Sequence, residues 1–320
     1  WIARAAARAR REIGRARPHV LVSSGPPHSA HLVAWLALRG MKQDVRWLVD
    51  LRDPWAGPPA GAWRASAMYR SRAAQWLVPR LEDLMLRGAD GVLCNTREFT
   101  AALAGRYPGA TIHWLPNGVD RDALPAPEPA SAPFAGLAIA YLGTLYGGRN
   151  LEPVLRALRL FFDRHPAAAR DGSRFRVAGH IDQAPGSALP AEVDALGLTH
   201  HVEHLGVLPR EAALRLAARS RLAVVLAQDQ GLQVPAKLYE LVALGTPTLV
   251  VAEPGSAARS EAERLGAIAA APDDVPAIAE VLADVWRGAL RPGERARNRL
   301  DYRDLATELD AILRGKLALI

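Results

Sequence analysis

Leu137-Ala-Ile-Ala-Tyr-Leu-Gly-Thr-Leu-Tyr-Gly-Gly-Arg149-Asn150 is the stretch that decides the fold. Its first six residues form an uncharged apolar run of strand length; glycines break the run, and a helical pattern opens just beyond it. A buried strand feeding a glycine loop and then a helix is the repeating unit of a parallel sheet covered by helices on both faces. The alternation continues downstream, with strands expected near 174–179, 202–205, 221–226, 247–251 and 267–270 and helices in most of the gaps. Upstream it is sparser. Strands are expected at 19–24, 45–50, 91–94 and 111–114, and helices over 1–17, over 29–39 with Ser29 as cap, over 63–87 and from Thr96. A Pro/Ala-rich stretch ending at Pro133 reads as a linker. The expectation is an α/β chain of two Rossmann-like parallel-sheet domains facing a cleft, over 1–126 and 127–293, with a closing helical segment at 294–320. Ligands of such folds bind at the carboxyl ends of the strands.

The composition agrees. The chain has 320 residues, 50% of them hydrophobic and 23% charged, enough for two ordinary cores. A lone cysteine, Cys94, excludes an internal disulfide and a Cys-based zinc site. The basic residues 1–17 lack a following apolar core, so no secretory signal is expected. The uncharged run 129–148 is interrupted by prolines and glycines, so no transmembrane helix is expected either. The chain opens on Trp1 rather than Met, which suggests that its own beginning lies upstream. Of the net charge of +7, residues 1–126 hold 18 basic against 10 acidic residues, net +8, and the rest 22 against 23, net −1. A basic first half suits nucleic acid, anionic lipid or an acidic substrate, or simply an arginine-rich solvated face. Nucleic acid is disfavoured because no aromatics interleave the arginines.

Four motifs carry chemistry. The loop after residue 142 places Gly143, Thr144 and Arg149 at a helix N-terminus, where backbone N–H groups and a guanidinium can hold phosphate. It lacks the Lys-Ser/Thr of a Walker A loop and has no GxGxxG; the plain alternative is a strand-to-helix turn with a surface arginine. Pro235-Ala-Lys237-Leu-Tyr-Glu240 opens a helix on the same sheet edge and offers a lysine for phosphate and a carboxylate for sugar hydroxyls, or else a surface ion pair three residues apart. Asp50-Leu-Arg52-Asp53-Pro-Trp55 follows a strand in the first half and suits a substrate cleft, or else a buried Arg–Asp pair fixing the loop. His28, in Pro-Pro-His28-Ser, sits in the equivalent loop one unit earlier. Other patterns fail: Asp120-Arg-Asp122 has the spacing of a metal-binding DxD but follows a turn and reads as a cap, His200, His201 and His204 lack a carboxylate or cysteine at metal spacing, and no GxSxG elbow exists.

In order along the chain, Ser23–Ser29, Asp50–Trp55, Pro116-Asn-Gly-Val-Asp120, Tyr141–Asn150 and Pro235–Glu240 resemble the retaining GT-B glycosyltransferases of family 4. The branch that builds bacterial surface polysaccharides and lipid-linked oligosaccharides fits best, and the resemblance spans essentially the whole chain. It implies a metal-independent retaining hexosyltransferase with no cofactor beyond its donor, a UDP- or GDP-sugar held by the second domain. The first domain would take a lipid-linked or polysaccharide acceptor. The implied catalytic residues are Arg149, Lys237 and Asp53; Gly143, Thr144, Gly231, Leu232 and Glu240 would bind the donor, with Glu240 on the ribose. His28, Arg52 and Trp55 would face the acceptor. Retention is commonly attributed in the family to same-face attack, with the leaving phosphate helping to deprotonate the acceptor. The closing helix usually crosses back onto the first domain.

Two departures stand out. A glutamate common in the family eight residues before the ribose-binding one is Leu232 here, where Lys237 and backbone amides near Gly231 would have to substitute. The family's first strand and its glycine-rich loop have no counterpart before Trp1, so the first domain is expected to be N-terminally incomplete by about 80–100 residues. The arginine-striped first helix, with Arg4, Arg8, Arg11 and Arg15 on one face, suggests a cytoplasmic protein peripheral on the inner face of the cell membrane. The rivals are a nucleotide-sugar epimerase and a catalytically silent GT-B subunit that binds nucleotide, the latter favoured by Leu232.

Overall fold

The computed structural model describes residues 1–41, 44–56, 71–125, 136–145, 148–181, 189–290 and 301–315. Tyr146 and Gly147 of the glycine loop, most of the Pro/Ala-rich linker and the expected helical residues 63–70, 294–300 and 316–317 lie outside the described residues. The chain divides into two compact units, one of the described residues up to Pro116 together with those from Arg303, the other running from Asn117 to Tyr302. The boundary thus falls ten residues before the expected 126.

The first unit holds a four-stranded parallel sheet in the order β1 (Val20–Gly25), β2 (Arg46–Leu51), β3 (Gly91–Cys94), β4 (Ile112–Trp114). Five of the six residues of β2 and all four of β3 are buried, the pattern of inner parallel strands covered on both faces. At the edge, Val22 of β1 is exposed. Among the described residues up to 116, the helices of this unit are α1 (Ile2–Ala16), α2 (Ser29–Leu38), α3 (Arg72–Gly88) and α4 (Arg97–Arg106). Ser29 is the first helical residue rather than the cap; His28 takes the cap position and makes no side-chain cap bond. Thr96 caps α4 by accepting from Phe99 N at 3.1 Å. Helix α1 packs on α2 through Ala6 and Ile13, which leaves its arginine stripe exposed.

The second unit is a six-stranded parallel sheet of β5 (Ala138–Leu142), β6 (Arg174–Ala178), β7 (Val202–His204), β8 (Leu222–Leu226), β9 (Thr248–Val251) and β10 (Ile268–Ala270), ordered β10-β9-β8-β5-β6-β7. The order reverses at β5, so the gap between the carboxyl ends of β5 and β8 is the topological switch point where ligands of such sheets bind. Helices α5 (Glu152–Arg164), α6 (Leu189–Ala195), α7 (Arg210–Ala218), α8 (Ala236–Leu244), α9 (Ala257–Arg264) and α10 (Val275–Trp286) cover it. Strands β5, β8 and β9 are buried throughout. One core, centred on Phe161, Phe162 and Phe175, fills one face, and another around Leu238, Tyr239 and Val250 fills the other. Gly245 ends α8 at a φ of 76°, a left-handed position that suits glycine.

The last described helix, α11 (Tyr302–Leu313), falls within the expected 294–320 segment, and its residues from Arg303 belong with the first unit. Leu305 and Ile312 pack against Leu48, Leu93 and Leu115, and Arg46 donates to the Leu313 carbonyl at 2.8 Å. Asp120 caps the short turn after it by accepting from Asp122 N at 3.1 Å, the capping role read from the sequence.

Candidate functional site

At the carboxyl edge of the second sheet, three chain segments meet through their backbones. Gly143 N donates to the Ala178 carbonyl at 2.9 Å, Leu145 N to His180 at 2.8 Å and Gly179 N to Gly206 at 2.8 Å. Gly179 has a φ of +135°, and a β-carbon there would lie 1.8 Å from the Gly143 carbonyl oxygen. Glycine is required at 179 on both counts.

The far end of the loop is fastened to the segment after β8. Arg149 Nη2 donates to Gln230 Oε1 at 2.6 Å. Asn150 N donates to Gln228 Oε1 at 3.2 Å, and Gln228 Nε2 returns a bond to the Asn150 carbonyl at 2.9 Å. Both glutamines are buried, so their amide dipoles are spent on positioning the loop. Asn150 Oδ1 accepts from Glu152 N at 3.2 Å, which satisfies one of the free donors at the start of α5.

Gly143, Thr144, Lys237 and Glu240 line one cavity of about 280 Å³, together with Gly179, His180, Leu208 and Arg210. Four residues singled out from the sequence as donor-binding or catalytic are thereby brought together. Lys237 is exposed on the first turn of α8. Glu240 is in an ion pair, but with Arg210 at 2.7 Å rather than with Lys237. Arg149, Gly231 and Leu232 lie outside this lining. Arg149 is turned onto Gln230, Gly231 is exposed with its carbonyl accepting from Ala257 N at 2.8 Å, and Leu232 is half-buried. His180, Arg210 and Gly179 were missed from the sequence. Gly179 alone had a signal there, as a glycine at the carboxyl end of an expected strand, like Gly143.

In the first unit, Arg52 turns back along the chain onto Asp50, Nε to Oδ1 at 2.9 Å. Asp50 Oδ2 also accepts from Ser24 Oγ at 2.7 Å, and the Arg52 carbonyl accepts from Asn95 Nδ2 at 2.6 Å. Arg52 thus takes the loop-fixing reading of its motif; Asp53 beside it is half-buried. Trp55 is buried and stacks on His28, ring centroids 5.3 Å apart. The next residue, Ala56, is clamped at both backbone atoms. Its N–H donates to Glu82 Oε2 at 2.5 Å and its carbonyl accepts from Arg106 Nη1 at 2.9 Å. Glu82, with a fully buried side chain, also pairs with Arg106 at 2.9 Å and accepts from Tyr107 OH at 3.1 Å. Burial raises its pKa, and burial beside Glu82 pushes the Tyr107 hydroxyl up to about 12.

His31, one helical turn beyond His28, is fully buried. Its Nδ1 lies 2.9 Å from Ser23 Oγ, which accepts from Trp47 Nε1 at 2.9 Å. Burial lowers the pKa of both histidines to about 4, that of His28 with a further contribution from His31. The folded values lie below the ordinary 6.5, so the unfolded chain binds more protons between pH 6.5 and 4 and stability falls as pH drops through that window. Seven of the eight tryptophans lie in residues 1–114, so fluorescence-monitored denaturation should show this loss. His31→Gln should flatten it; an unchanged acid slope would contradict the assignment. Cys94 is buried with its thiol pKa raised, the opposite of a nucleophile's setting. Among the described residues no group of three or more His, Cys, Asp or Glu side chains is placed to hold a metal ion.

Residues 1–118 match the family model described as glycosyl transferase 4-like domain. No curated protein matches the chain in sequence. Among solved structures, a glycosyltransferase from Rickettsia africae is 13% identical over 98% of this chain and 81% of its own, with a TM-score of 0.71. The sucrose-phosphate synthase of Thermosynechococcus elongatus is 17% identical over 93% and 73%, with a TM-score of 0.64. A putative UDP-N-acetylglucosamine 2-epimerase from Listeria monocytogenes is 14% identical over 98% and 79%, with a TM-score of 0.60. The fold is GT-B, two Rossmann-like parallel-sheet domains.

Proposed function

We propose that this chain is a retaining glycosyltransferase whose second unit holds a nucleotide diphosphate sugar of the UDP or GDP type. The observation that carries the reading is the cavity shared by Gly143, Thr144, Lys237 and Glu240 at the carboxyl edge of the second sheet, past the ends of β5 and β6 and beside α8. The family match of the first unit and the fold support glycosyl transfer over other uses of such a cavity. Glu240 takes the ribose hydroxyls. The loop amides, Lys237 and an Arg149 released from Gln230 take the diphosphate and stabilise the charge that develops on it as the sugar departs. With that charge met by fixed N–H groups and cations, the reading assigns no step to a metal. The first unit receives the acceptor near His28, Arg52, Asp53 and Trp55, and a lipid-linked or polysaccharide acceptor hydroxyl attacks on the face the diphosphate leaves.

Calorimetric titration tests this. The folded chain should bind UDP or GDP, and Arg149→Ala and Lys237→Ala should each weaken that binding about tenfold, the worth of one charge-assisted hydrogen bond. Variants that bind as the wild type does would remove the diphosphate from this edge. A second reading, nucleotide-sugar epimerisation, finds carboxylates in a neighbouring cavity of about 400 Å³ lined by Asp229, Glu253 and Asp273. Conversion of a nucleotide sugar to its epimer without any acceptor would favour it.

The acceptor's class bears on location. No helix among the described residues is long and apolar enough to cross a membrane. Helix α3 exposes Trp76 (59%), Leu77 and Leu84, with the Arg80 guanidinium 4.0 Å above the Trp76 ring. Aromatic, aliphatic and cationic side chains together on an exposed helix suit the headgroup region of an anionic bilayer. Trp76→Ala/Arg80→Ala should float less with anionic liposomes than the wild type; equal flotation would remove the membrane from the reading.

A further inference from the structure

Glu240 is held from one side only. Arg210, the first residue of α7, donates from Nη2 to Glu240 Oε1 at 2.7 Å, and no other hydrogen bond or ion pair engages the carboxylate among the described residues. Among the described residues Oε2 has no hydrogen-bond partner, and Glu240 is half-buried. Both side chains line the cavity that contains Gly143 and Thr144. Glu240 sits in α8 one turn beyond Lys237, and α7 packs against α8. A free glutamate on a helix samples several rotamers, each torsion with staggered alternatives. An arginine bound to one oxygen selects among them and aims the other oxygen. With Arg210 about half exposed, the pair adds little to stability, so its consequence is orientation.

We infer that Arg210 is a positioning residue that aims the open oxygen of Glu240 into the cavity, where it reads the vicinal diol of a nucleotide's ribose. This rests on the proposal that Glu240 meets the ribose. The chemistry is specific: a fixed carboxylate oxygen accepts from a ribose hydroxyl, and a sugar lacking the diol leaves that oxygen without a donor. Arg210 thereby sets the preference for ribonucleotide over deoxyribonucleotide without touching the ribose.

The test titrates the full chain with UDP and 2′,3′-dideoxy-UDP, or the guanosine pair if GDP is the nucleotide bound. The wild type should prefer the ribonucleotide by about tenfold or more, the range of a hydrogen bond to a charged group. Glu240→Gln should shrink that preference. Arg210→Ala should shrink it as well, while dideoxy-UDP affinity stays within about twofold of wild type, and Arg210→Lys, which restores a cation at this position, should recover part of it. Arg210→Ala lowering both affinities equally, or neither, would overturn the inference while the ribose reading stands. A wild type that binds UDP with a preference unaltered in Glu240→Gln would overturn the ribose reading and the inference with it. A folded wild type that binds neither nucleotide would overturn the donor site itself. Circular dichroism of each variant separates a binding effect from a folding one.

Discussion

Gly179→Ala should lower the stability of the chain by about 4 kcal/mol and abolish the proposed nucleotide binding. Two costs combine. The backbone at 179 has a φ of +135°, outside the regions an L-residue adopts without strain, at about 1–3 kcal/mol. The added methyl would also sit 1.8 Å from the Gly143 carbonyl oxygen and 2.6 Å from its carbon. Both are backbone atoms that no rotamer change can move, and overpacking of this kind costs about 1–3 kcal/mol more. Relief comes only by pushing the Gly143 loop away from β6, which breaks the Gly143 N–Ala178 O bond and displaces the amides proposed to hold phosphate. For a folding unit the size of Asn117–Tyr302 the thermal midpoint should fall by roughly 10 °C. Gly255→Ala is the control: its φ is +76° but no atom lies within 4 Å of the added carbon, so it should cost less and leave binding intact. Equal losses in the two variants would contradict the close approach.

Arg106→Ala should destabilise the first unit by about 3 kcal/mol, the lower end of the cost of stranding a buried charge. Glu82 has a side chain with no solvent exposure, whereas Arg106 is 38% exposed, so the loss falls on the carboxylate left without its cation. The Ala56 carbonyl loses its donor in the same change. Burial holds the folded pKa of Glu82 above its ordinary value of 4.5, so the native state keeps the proton to higher pH than the unfolded chain does. The sign follows: the deficit of Arg106→Ala relative to wild type is largest at neutral pH and shrinks as pH falls and Glu82 is protonated. Glu82→Gln in the Arg106→Ala background removes the stranded charge and keeps an acceptor for Ala56 N. It should recover more than half of the loss in urea denaturation followed by tryptophan fluorescence. A double variant less stable than Arg106→Ala would contradict this account.

The strands of the second sheet and the glycine loop after β5 were legible because parallel strands buried on both faces are written as unbroken apolar runs. Ala138–Leu142, Leu222–Leu226 and Thr248–Val251 are examples, each followed by a glycine or polar turn at the carboxyl edge. Partner choice was not legible. Lys237 and Glu240 lie three residues apart and suggest a local pair, yet Glu240 bonds Arg210, thirty residues away. Arg52 stands beside Asp53 in sequence but pairs with Asp50, because Asp50 lies near the end of a buried strand and its carboxylate needs a donor within reach. His31 and Glu82 gave no signal: nothing in the sequence of their helices names a partner, and only the docking of each helix on β1 or on the Ala56 segment supplies one.

The most direct measurement is hydrogen–deuterium exchange of the whole chain with and without saturating UDP and GDP. One nucleotide should slow exchange in peptides covering Leu142–Asn150, Gly206–Leu214 and Gln228–Glu240, and leave Val20–Gly25 and Arg46–Leu51 unchanged. A folded chain with no protection from either nucleotide, or protection confined to the first unit, would contradict the placement of the donor at the edge built by Gly143, Lys237 and Glu240.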